Sequence, residues 1–100
     1  MHTDECKLLA RYNRWINEWL YDVCSRLPDE ERKNDRKAFF GSIHGTLNHL
    51  LLGDRVWLGR FENKPFQVKS LAQELYSDFD QLRKERSLTD VQIVQWAEGL

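Results

Sequence analysis

Apolar residues recur at three- and four-residue steps along three stretches of this chain, the signature of amphipathic helices. The first stretch runs from about Thr3 or Asp4 to about Leu27. It places Leu8, Leu9, Tyr12, Trp15, Ile16, Trp19, Leu20, Val23 and Leu27 in one stripe. Arg11, Arg14, Asn17, Glu18, Tyr21 and Ser25 occupy the opposite side. Pro28 ends this helix, because the residue before a proline is pushed away from helical dihedrals. Residues 29–37 are almost wholly charged and read as a solvated connection, with room for one short helical turn and no binding role.

The second helix is predicted from near Ser42 to near Phe61, with Ile43, Leu47, Leu50, Leu51, Trp57, Leu58 and Phe61 as its main stripe. Leu52 and Val56 lie on other sides, and a helix apolar on more than one face is usually surrounded by others. Asn63-Lys64-Pro65 then makes a turn. A third helix is predicted to begin at Ser70, an N-cap with Gln73 completing a capping box. Leu71, Leu75, Phe79 and Leu82 form its stripe, and Ile93, Trp96, Ala97 and Leu100 continue in the same phase. Thr89 with Gln92 is a second capping box, but the surviving phase favours one long helix. There is no strand-like alternation of useful length and no repeat.

The expectation is an all-α bundle in a single domain spanning residues 1–100. Its second helix asks for one more neighbour than three helices comfortably provide. Either a fourth helix is missing from this chain or a second copy supplies it.

Composition narrows the class without naming a function. The chain is 41% hydrophobic and 31% charged, which suits a soluble globular domain. Lys and Arg total 15 against 16 Asp and Glu, so no basic surplus argues for nucleic acid. No apolar run approaches the roughly 18 residues of a membrane span. The polar, acidic start does not read as a secretory signal, which leaves the cytoplasm as the expected location. Cys6 and Cys24, on one predicted helix, would stand about 27 Å apart, beyond disulfide reach.

Candidate chemistry concentrates in residues 41–54. His44 and His49 are five apart, so on a helix they point about 140° away from each other and cannot chelate one metal together. His49 projects beside the main stripe, near Ser42, Gly45, Thr46 and Gly53, whose small side chains leave a depression around the imidazole. His44 projects to the opposite flank with Asn48 and Arg55, a polar margin. On the residues alone, a lone histidine at a bundle margin is more often a packing residue than a ligand. Asp54 falls in the centre of the apolar stripe and needs a partner. Arg86, in the stripe of the third helix, is the expected one. Trp15, Trp19, Trp57 and Trp96 read as core packing before they read as a ligand pocket.

At residues 10–15, 39–51, 54–58 and 74–79 the chain resembles the DinB family. The pieces are Ala-Arg-Tyr-Asn-Arg-Trp, Phe-Phe-Gly-Ser-Ile-His-Gly-Thr-Leu-Asn-His-Leu-Leu, Asp-Arg-Val-Trp-Leu and Glu-Leu-Tyr-Ser-Asp-Phe. The resemblance implies a four-helix bundle of the DinB type, with about three helices present in this chain. It also implies a three-histidine divalent metal site, often zinc or nickel, with His49 as first ligand and an H-x-x-x-H pair on a later helix. Relatives include thiol-dependent S-transferases, which would add a small thiol as partner; homodimers are common, and the family is named for induction by DNA damage. No histidine follows His49 here, so the pair is absent from this sequence. Two functions stay open: a metal-dependent transferase, and a non-catalytic helical module for dimerisation or protein interaction.

Overall fold

Ser42 starts the central helix of the molecule: its Oγ accepts the Gly45 N–H at 2.9 Å, a side-chain cap on an otherwise orphaned backbone donor. In the computed structural model, which describes residues 3–37, 40–70 and 73–100, helix α3 then runs Ile43–Phe61. It is preceded by α1 (Thr3–Ser25) and the short α2 (Asp29–Lys33), and followed by α4 (Phe79–Glu98). Four helices and no strand are present among the described residues, so the chain is all-α. None of these helices is long and apolar enough to cross a membrane.

α2 is the helical turn expected in the charged connection, but one of its residues is not solvated. Arg32 is buried and donates to the carbonyls of Cys24 and Leu27 at the end of α1, where unpaired carbonyls and the helix dipole favour a cation. Its guanidinium lies 3.9 Å from the centroid of the Phe79 ring.

The last helix begins later than the capping pattern at Ser70 predicts. Asp78, not Ser70, is the cap: its carboxylate accepts the Gln81 N–H at 2.9 Å. Described residues 62–70 and 73–78 form an extended strap over α3. Leu71, which the expected stripe included, lies outside the described residues. From Phe79 the helix is unbroken through Thr89, so the second capping box opens no new helix.

α1 and α3 both pack on α4, and the core gathers Tyr21, Cys24, Leu47, Leu51, Phe79 and Leu82. The inward face of α1 is the reverse of the expected one. Ala10, Asn17, Tyr21 and Cys24 are buried, while Leu8, Tyr12, Trp15, Trp19 and Val23 are exposed. The physical reason lies on α4, which presents Arg86 and Asp90 to α1. Buried charges there need polar partners, and only the Asn17 side of α1 carries them.

Candidate functional site

α3 is rotated in a related way, and this decides where its histidines go. His44 and Asn48, expected at a polar margin, are buried to 2% and 1% exposure, and Leu50, Trp57 and Phe61 of the expected core stripe are exposed. Asn48 ties down the strap: its Oδ1 accepts the N–H groups of Leu75 and Tyr76 at 2.8 and 3.0 Å. Its Nδ2 donates to the carbonyls of Tyr76 and His44. His44 Nε2 lies 2.9 Å from Glu74 Oε1, but without the alignment of a hydrogen bond, and Nδ1 has no partner.

His49 is half-buried, and its ring stacks on Phe40 with centroids 3.7 Å apart and an 18° interplanar angle. Among the small neighbours that suggested a ligand niche, Gly45 has a structural role. A Cβ on Gly45 would lie 2.2 Å from the Phe40 carbonyl oxygen, so Gly45 lets this segment cross α3 at close range. The crossing brings the Phe40 ring onto His49. Among the described residues no three His, Cys, Asp or Glu side chains are grouped closely enough to hold a metal ion. The described side chains therefore do not by themselves assemble a three-ligand site around His49.

The polar cluster between α1, α3 and α4 is the best-built feature of the molecule. Arg86 pairs with Asp54 of α3, as the helical projection anticipated. It also donates to Asp90 Oδ1 from Nη2 at 2.7 Å and from Nε at 3.1 Å. Asn17 Nδ2 adds a bond to the same oxygen at 3.1 Å, and Asn13 approaches it at 3.5 Å. Asp90 was not singled out from the sequence, although its helical phase with Leu82, Arg86 and Ile93 carried the signal. Burial pushes the Asp90 carboxyl above the usual aspartate range, against the pull of Arg86. Burial also works against the charge of Arg86, but Asp90 and Asp54 outweigh it and hold its pKa above the ordinary value.

Beside Asp54 opens a groove of about 300 Å³ between α1, α3 and α4. Phe61 and Trp96 stack along it at 4.8 Å, and Cys6 and Trp57 also line it. Trp57 and Phe61 are exposed, so this part of the expected aromatic core is an open wall. Neither Cys6 nor Cys24 is in a disulfide, and burial pushes the Cys24 thiol up.

Sequence comparison adds a family. The model described as "DinB family" matches residues 1–100. The chain is 31% identical over 68 residues to a protein of Bacillus subtilis (strain 168) named "Protein DinB", a match covering 67% of this chain and 40% of that protein. No solved structure matches.

Proposed function

Because the chain belongs to the DinB family, we propose that it works as an association unit, with the outward face of α1 packing against a second copy of the chain. One observation carries this reading. Leu8, Trp15 and Trp19, at 67%, 61% and 55% exposure, run down the middle of that face, flanked by Tyr12 and Val23. Single exposed apolar residues are ordinary, but a contiguous row along one helix marks an interaction surface.

The charges beside the row favour a second copy over an unrelated partner. An antiparallel copy centred at Asn17 sets Trp15 opposite Trp19 and brings Arg11, which pairs with Glu98 in its own chain, near Asp22 of the other. The same patch is thus complementary to itself, as a two-fold interface requires. Sedimentation velocity at micromolar concentration tests this. A dimer is expected, dissociated by Trp15→Glu with Trp19→Glu while helical circular dichroism persists. A monomeric wild type rejects the reading.

Family membership supports a second reading, a divalent-metal-dependent enzyme, with zinc or nickel as metal and a small thiol as partner. Within this chain His49 is the residue that the resemblance puts at such a site, half-buried on α3. The remaining ligands would come from outside the described residues. The chain spans 40% of the length of the curated relative it matches. Metal analysis after loading with zinc or nickel decides this reading: stoichiometric metal lost in His49→Ala supports it, and a metal-free wild type rejects it.

A further inference from the structure

Further along the α1–α4 seam from the aromatic groove lies a second pocket, also of about 300 Å³, with walls of a different kind. Asn17, Tyr21, Arg86 and Asp90 line it, and all four are more than nine-tenths buried. Two of their polar atoms have no hydrogen-bond partner: the Tyr21 hydroxyl and Asp90 Oδ2. Asp90 Oδ1, by contrast, is saturated by Arg86, Asn17 and Asn13. Buried polar atoms in folded proteins are nearly always satisfied, by protein groups, by ordered water or by a bound group.

The missing partner can be described chemically. Oδ2 of a carboxylate needs a donor, and the Tyr21 O–H needs an acceptor. The charged lining groups are already engaged within the protein. Arg86 is held between Asp54 and Asp90, Arg83 lies 3.7 Å from Asp22, and Glu18 pairs with Arg14 at 3.1 Å. An ionic ligand would find no free counter-charge. We propose that this pocket binds a small neutral molecule through a primary carboxamide, which donates its N–H to Asp90 Oδ2 and accepts the Tyr21 O–H at its carbonyl. The site is independent of the α1 dimer face and of His49.

Acetamide titrated into ¹⁵N-labelled protein, followed by NMR, is the test. Saturable shifts are expected, confined to the backbone amides around Asn17, Tyr21, Arg86 and Ser87. N,N-dimethylacetamide, which lacks the N–H donor, and acetate, which is charged, should produce none. Tyr21→Phe keeps the ring that stacks on Phe79 and should weaken acetamide binding about tenfold, the worth of one buried hydrogen bond. The same variant should leave the free protein at least as stable as the wild type, because the hydroxyl it removes has no partner. Linear shifts without saturation, an equal response to the three probes, or a response unchanged in Tyr21→Phe would mean that the pocket holds only water, and would overturn the proposal.

Discussion

Asn48 holds the backbone of Tyr76 from both sides, accepting its N–H at 3.0 Å and donating to its carbonyl at 3.2 Å. A single side chain on α3 thus replaces the ladder that the strap, being neither helix nor strand, cannot make for itself. Asn48→Ala leaves the N–H groups of Leu75 and Tyr76 without their acceptor in a part-buried setting. A loss of about 3 kcal/mol of stability is expected from several orphaned groups. Urea denaturation measures it; a change within the range of an ordinary surface substitution would mean that the strap does not depend on this clamp.

Arg86 sits between two carboxylates, so its removal should cost more than that of either partner. Arg86→Met strands Asp54 and Asp90 without their counter-ion and is expected to destabilise by about 3–5 kcal/mol. A double-mutant cycle between Asp54→Asn and Arg86→Met should give a coupling of about 0.5–3 kcal/mol. Additive effects would dissolve the pair.

Asp90 should leave a signature in the pH dependence of stability. Its folded pKa is raised, with burial as the largest cause, so the folded state binds the proton more tightly than the unfolded chain does. The contribution is therefore fully present below the unfolded pKa and is lost as pH rises through the folded one. Relative to Asp90→Asn, the wild type is expected to gain stability as pH falls from its raised folded value through the ordinary aspartate range. Urea midpoints across that window check the sign, and a difference that shrinks on acidification contradicts it.

Two glycines on α3 should respond in opposite ways to the same substitution. Gly45→Ala drives a methyl group to 2.2 Å from the Phe40 carbonyl oxygen, a backbone atom that cannot swing aside. A cost of about 1–3 kcal/mol is expected, as for other overpacked sites. Gly53 has nothing within 4 Å of such a methyl. Gly53→Ala should stabilise by about 0.5–1 kcal/mol through helix propensity alone. Thermal melts of the two variants compare them directly; equal shifts would remove the close crossing at Gly45.

Features that depend on short-range chemistry were legible in the residues alone. The Ser42 cap sets the start of α3, α1 ends at Ser25 a short turn ahead of Pro28, and the helical phase of Asp54 and Arg86 makes them partners. These follow from dihedral preferences and hydrogen bonds within a few residues, or from matched charges on neighbouring stripes. The family resemblance, too, was legible in contiguous residues. Ser70 misled because a capping pattern marks where a helix can start, whereas the strap is held in its non-helical path by Asn48, many residues away. Which faces turn inward depends on packing between helices. Periodicity puts Trp15 and Trp19 on one side of α1 and Asn17 and Tyr21 on the other, but it does not say what lies beyond either side. The buried charges of α4 drew the Asn17 face in and left the apolar stripe out. His49 is the same lesson at one residue: its position on α3 could be read from the sequence, and its contact with Phe40 arose only when Gly45 let the chain cross.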